Sequence, residues 1–156
     1  MISIDVISDN NLWKKKIPKK KFFFNNLVKY FPKKYQFKSK KVELTVLLSQ
    51  NRELKKLNKK FRKKNKPTDV LSFPSEKRLN LKKNLYLGDI IISYEFMDRP
   101  KNLSKTDFKK KVSKIFIHGF LHLLNFDHLT LKDFKKMKKE EEKIYRLLDK
   151  RIISFG

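Results

Sequence analysis

The sequence predicts an α+β fold (α/β-like): a mixed sheet of about four strands flanked by four to six helices, in one domain spanning residues 1–156. Three observations predict it. A chain of 156 residues with 39% hydrophobic side chains and 14 Phe suffices for a single core that hides roughly two-thirds of the unfolded surface. Short segments rich in β-branched residues are interspersed with longer ones of 3.6-residue period, so strand and helix layers must pack on each other. No Gly/Ser linker and no internal repeat divides the chain.

Each element follows from local pattern. Ile2–Ile7 alternates apolar and polar residues and reads as a first strand. Phe22, Phe23, Phe24, Leu27, Val28 and Phe31 form an amphipathic helix ending near Pro32, with the lysine runs around it as solvated faces. Val42–Leu48 is a second strand. Ser49 offers a hydroxyl N-cap to a helix carrying Leu54, Leu57, Asn58 and Phe61, which Lys63–Pro67 breaks. Thr68–Pro74 reads as a third strand stopped by proline, Ser75–Asn84 as a polar connection, and Tyr86–Ser93 as a fourth strand. From Thr106 a helix runs through Phe108, Val112, Ile115, Phe116 and Leu123 and ends near Asn125, which tolerates the left-handed backbone found past helix C-termini. Thr130 caps a last helix whose apolar side is Leu131, Phe134, Met137, Ile144 and Leu148.

Composition excludes more than it identifies. The net charge of +25 points to an anionic partner, but lysine outnumbers arginine 35 to 6 and alanine is absent. That bias follows AT-rich codon usage whatever the protein does, so the charge supports a nucleic-acid partner without naming one. Residues 1–66 hold 21 basic and 4 acidic side chains, against 20 and 12 in the remainder, an asymmetry that favours a phosphate-facing side on the N-terminal half. The absence of cysteine excludes disulfides, thiolate ligands and a Cys nucleophile. The longest apolar stretch, Ile115–Leu124, contains two histidines and is too short for a membrane span. Met1–Asp5 shows no signal-peptide pattern, so a soluble cytoplasmic protein is expected. In a chain with three glycines, the internal pair Gly88 and Gly119 should sit where a side chain does not fit, while terminal Gly156 is uninformative.

All three histidines, His118, His122 and His128, fall within eleven residues. The first two are four apart on a predicted helix, with Cβ atoms about 5–6 Å apart on one face. A turn at Asn125 brings the third back toward them. Three imidazoles with a fourth position free match a catalytic zinc arrangement, whereas a structural zinc takes four protein ligands. Gly119 within the helix costs about 1 kcal/mol relative to Ala, which implies close packing or metal access there. Asp127 either orients an imidazole or ends the turn. Metalloproteases of the H-E-x-x-H type need Glu after the first His; Gly119 stands there, so a peptidase reading loses its general base.

The segment His118-Gly-x-Leu-His122-Leu-x-x-Phe-Asp127-His128 resembles the H-x3-H-x5-H signature of the YbeY-type endoribonucleases, the bacterial rRNA maturation factors. Leu57-Asn58-Lys-Lys-Phe61-Arg62-x-Lys64-x-x-Pro67-Thr68-Asp69-Val70-Leu71-Ser72-Phe73-Pro74 is similar to the family's second block, and Leu87-Gly88-Asp89-Ile90-x-Ile92-Ser93 to its third. Residues 8–41 match no motif. Asn125 stands where the family usually has Gly, and both accept the same backbone conformation.

The resemblance implies a metal site on a helix of the C-terminal half and the loop after it. It implies a single-strand-specific, metal-dependent endoribonuclease acting on precursor rRNA, including the 3′ end of small-subunit rRNA, and in ribosome quality control. His118, His122 and His128 would hold one Zn2+, or another divalent metal, completed by water; Arg62 is the catalytic candidate, with a planar fork suited to phosphate. Lys59, Lys60, Lys63 and Lys64 would hold further phosphates. Implied partners are single-stranded RNA, the ribosomal small subunit and assembly factors, with neither membrane nor DNA. The alternative is a non-catalytic RNA-binding ribosome-assembly factor with a structural metal. It predicts RNA binding without turnover.

Overall fold

A computed structural model describes residues 1–75 and 84–156. Four strands, β1 (Ile2–Ser8), β2 (Lys41–Ser49), β3 (Val70–Pro74) and β4 (Asn84–Ser93), form one sheet in the order β1-β2-β4-β3. β1, β2 and β4 are parallel, and β3 runs antiparallel to β4. The described residues also form six α-helices: α1 (Leu12–Lys16), α2 (Lys20–Lys29), α3 (Asn51–Arg62), α4 (Tyr94–Met97), α5 (Lys105–Leu123) and α6 (Leu131–Leu148). The mixed sheet and helix number agree with the sequence. The predicted polar connection Ser75–Asn84 lies, between its ends, outside the described residues.

Strand alternation sorts the two faces. Val42, Leu44, Val46 and Leu48 of β2, with Ile90 and Ile92 of β4, bury against α2 and α5 in a main core. Its centre is aromatic: Phe24 and Phe31 of the α2 region meet Phe116 and Phe120 of α5, with ring centroids 5.0–6.2 Å apart. The intervening Ile91 faces the opposite side and joins Leu54 of α3 and Leu71 of β3 in a smaller cluster. Phe61, expected on the buried side of α3, is instead 57% exposed and packs edge-on against Phe73. Among the described residues no helix is long and apolar enough to cross a membrane.

Several boundaries shift for identifiable reasons. Ser49 does not cap α3. It pairs with Ser93 at the end of β2, fully buried, and its hydroxyl donates to Asp9 Oδ2 at 2.5 Å. Gln50 is the N-cap residue, without a side-chain bond, and Glu95 Oε2 accepts from the Asn51 backbone N–H at 2.8 Å instead. The acid that satisfies this helix end therefore arrives from the turn after β4. Thr68 and Asp69 precede β3 rather than belonging to it; the Asp69 carboxylate accepts from the Val70 N–H at 2.8 Å and its carbonyl from the Ser93 N–H at 2.9 Å. α5 starts at Lys105, capped by the Ser104 hydroxyl, and Thr130 caps α6 as expected. Within α6, Met137, Ile144 and Leu148 are buried, but Leu131 is 70% and Phe134 48% exposed.

Both internal glycines sit where the sequence placed them. Gly88 lies in a bulge of β4, where the register against β2 shifts between Glu43 and Thr45, and has φ +135°. Gly119 lets α5 lie close on β3 and β4: a Cβ there would come within 3.0 Å of Ile90 Cγ2 and Ser72 Oγ. Close packing, not metal access, is what it supplies. Gly156 is not neutral, since its carbonyl accepts from the Lys19 N–H at 3.3 Å and a Cβ would crowd Lys19.

Candidate metal centre

α5 ends in a way that builds the centre. The Phe126 N–H donates to the Leu121 carbonyl and the Asn125 N–H to the His122 carbonyl, both at 3.0 Å. With Asn125 at φ +70°, these two bonds form a Schellman cap. The cap returns the chain over the last helical turn, so the Phe126 carbonyl accepts from His122 Nδ1 at 3.0 Å. His118, one turn earlier, has its Nδ1 2.6 Å from Glu141 Oε1 on α6. The Phe126 carbonyl and the Glu141 carboxylate hold the two Nδ1 atoms, so both imidazoles turn Nε2 toward each other.

Those two Nε2 atoms lie 3.1 Å apart. Two imidazole nitrogens at that distance can share a proton or ligate one cation. Ligands at about 2.0–2.1 Å on a tetrahedral ion would be about 3.3 Å apart, so the spacing fits. His128 completes the set: one ligand atom from each imidazole lies within 4.8 Å of the others. Burial pushes the His122 imidazole below its ordinary pKa of 6.5, and the neighbouring His118 and His128 push it the same way. It is therefore held neutral, the form that ligates. With no thiolate and no carboxylate in the set, the donors suit zinc or a similar imidazole-binding metal.

Asp127 Oδ1 accepts from the His128 backbone N–H at 2.7 Å, so this acid shapes the turn that presents His128. The residue in contact with a ligand imidazole is Glu141, which the sequence reading missed. Its signal was present: Met137, Glu141, Ile144 and Leu148 keep helical spacing along the buried side of α6, and an acid on that stripe needs a partner. Glu141→Gln is expected to weaken metal affinity by about 10–100-fold, because the carboxylate fixes the tautomer and orientation of His118. Competition titration against a chromophoric chelator measures it; unchanged affinity would show that the contact does not support the centre.

The centre opens on a cavity of about 1000 Å³ whose opposite wall includes Arg62, Lys64 and Ser72. Arg62 ends α3, and its Nη2 donates to the Ser72 carbonyl at 3.3 Å. The Ser72 hydroxyl donates in turn to the Gly119 carbonyl at 3.2 Å, connecting that wall to α5. Lys63 takes the left-handed conformation at the end of α3, and the buried Asn58 amide donates to the Lys66 carbonyl at 2.9 Å. The loop after α3 is thereby folded into the wall. Of the lysines proposed to assist, Lys64 lines the cavity and Lys66 joins it; Lys59, Lys60 and Lys63 do not.

Comparison with known proteins identifies relatives of the chain. The family model described as "Endoribonuclease YbeY" matches residues 7–149. A relative named "Endoribonuclease YbeY" from Pelagibacter ubique (strain HTCC1062) is 64% identical over 152 residues, covering 97% of this chain and 99% of its own. One of the same name from Buchnera aphidicola subsp. Cinara cedri is 39% identical, covering 95% and 92%. The solution structure of TM1509 from Thermotoga maritima superposes with a TM-score of 0.50 at 27% identity, covering 92% and 89%.

Proposed function

Since the chain belongs to the YbeY endoribonuclease family, we propose that it is a metal-dependent endoribonuclease that cleaves single-stranded RNA at the three-histidine centre. The observation that carries this reading is the pair of Nε2 atoms 3.1 Å apart, with both Nδ1 atoms committed elsewhere, in a cavity walled by Arg62.

His118, His122 and His128 would hold the ion, which when bound supplies Lewis-acid activation of water for attack on a phosphodiester. The remaining work falls to the protein. The Arg62 fork takes two oxygens of the scissile phosphate, and Lys64 and Lys66 hold its neighbours and counter the charge that builds on the phosphate. The Phe126 carbonyl and Glu141 keep protons on the two Nδ1 atoms, so the ligand face stays constant through the reaction. Residues 1–156 act as one such domain. The substrate class fits precursor rRNA, including the 3′ end of small-subunit rRNA, in ribosome maturation and quality control. The small subunit and its assembly factors are the partners and the cytoplasm the location.

The test is cleavage of single-stranded precursor-rRNA fragments before and after chelation. Activity that disappears with chelator and returns with one equivalent of zinc supports the reading. RNA binding without turnover under any metal would favour the assembly-factor alternative. Arg62→Ala is expected to lower kcat/KM by about 100-fold and Arg62→Lys to recover only part of it, since ammonium cannot reproduce a bidentate grip. Steady-state kinetics on one fragment decides it; equal activity of all three proteins would remove Arg62 from the mechanism.

A further inference from the structure

The cavity at the histidines does not end there. It shares His118 and His128 with a smaller cavity of about 260 Å³, which in turn shares Lys138 and Glu141 with one of about 530 Å³ between α5 and α6. Three adjacent cavities thus follow one another from Arg62, past the centre, to Arg146.

The far part has the side chains of a strand-binding surface. Its floor includes the buried Ile117, and exposed Lys114 of α5 faces Lys138 and Arg146 of α6 across it. Lys138 and Arg146 are eight residues apart on one face of α6, about 12 Å along its axis. Lys114 Nζ lies 4.8 Å from the centroid of Tyr145 and Lys138 Nζ 5.9 Å from that of Phe134, so the cations are interleaved with aromatic rings. Phe134, unexpectedly exposed for the apolar side of α6, lines the linking cavity beside His118 and His128. Of the acids lining it, Glu141 is committed to His118, leaving Glu142; Asp149, which accepts from the Tyr145 hydroxyl and pairs with Lys110, is a further opposing charge near Lys114.

Lysine alone would mean little in a chain of this composition. Arg146 is one of six arginines, and shared lining residues link its cavity to the one at the histidines. We propose that the α5–α6 groove binds the continuation of the RNA strand whose scissile phosphate lies at the histidines. Lys114, Lys138 and Arg146 take its phosphates, and Phe134 stacks an unpaired base next to the centre. The inference rests on the endoribonuclease reading, which by itself places RNA only in the large cavity.

The test compares the full-length metal-loaded protein with a triple variant, Lys114→Gln, Lys138→Gln and Arg146→Gln. A control triple, Lys14→Gln, Lys15→Gln and Lys21→Gln, removes the same charge from exposed positions lining none of the three cavities. Fluorescence anisotropy follows binding of oligouridylate of about 12 nucleotides across a range of salt, with strand integrity checked on gels. Each single-strand phosphate contact contributes about 0.7 to the slope of log K against log salt, so the groove triple should lower it by about 2 and the control should leave it near wild type. Phe134→Ala should weaken binding by about tenfold and Phe134→Trp restore it. In cleavage, the groove triple should raise KM with kcat retained.

Equal slopes for the two triples, or a groove triple that binds like wild type, would overturn the proposal. The readings separate cleanly. Groove-dependent binding by a protein that cleaves nothing keeps the groove and sinks the nuclease, whereas cleavage unaffected by the groove triple does the reverse.

Discussion

His122→Ala is expected to leave the protein without metal and its RNA cleavage at background. His122 holds the middle of the cluster: its Nε2 lies 3.1 Å from that of His118, and its ring centroid is 5.0 Å from that of His128. Removing it leaves two imidazoles, one ligand short of the three that catalytic zinc sites use. Half burial and neutrality already favour the ligating form of His122, so little of the binding energy goes into deprotonation. The side chain also meets the Phe126 carbonyl, so truncation releases the chain that presents His128. Elemental analysis of the purified variant, with circular dichroism to check its fold, reads the first effect, and cleavage of a single-stranded fragment the second. A folded variant that keeps one equivalent of metal and full activity would remove His122 from the centre.

Gly88→Ala is expected to destabilise the fold by about 3 kcal/mol or more, the largest effect of any single methyl addition here. Two costs add. At φ +135° an L side chain is strained whatever the space around it. The added Cβ would also lie 2.2 Å from the Phe73 carbonyl oxygen and 3.0 Å from Pro74 Cα, backbone atoms of the strand paired with it. Flexible side chains could move aside, but β3 cannot do so without giving up its ladder. β3 also presents Ser72 to Arg62 and Gly119, so the damage should reach the cavity wall. Urea unfolding of the two proteins measures the loss; a difference below about 1 kcal/mol would mean that β3 shifts without cost.

The sheet was legible because Ile2–Ile7 alternates apolar and polar residues and Val42–Leu48 is a β-branched, apolar run. The histidine cluster was legible because helical spacing and a turn residue are local features: His118, His122, Asn125 and His128 needed no knowledge of the rest of the chain. What stayed hidden is non-local. Glu141 reaches His118 across 23 positions, and Glu95 reaches the start of α3 across 44; no spacing rule connects such pairs. Ser49 was misplaced because a hydroxyl before a helical pattern looks like a cap, while one more residue of strand pairing claims it for Asp9. Leu131 and Phe134 were assigned to the core on periodicity alone. Period says which residues share a face, not whether another element covers it.

The cap at the end of α5 has a consequence for how the chain can vary. Stopping the helix, setting the tautomer of His122 and returning His128 to the centre are one set of bonds around Leu121, His122, Asn125 and Phe126. The segment from His122 to His128 is therefore a ruler of fixed length. A one-residue insertion would not be absorbed as loop slack; it would move the Phe126 carbonyl off the imidazole and His128 away from the other two histidines. Exposed as this turn is, it has no more freedom of length than a strand buried in the sheet.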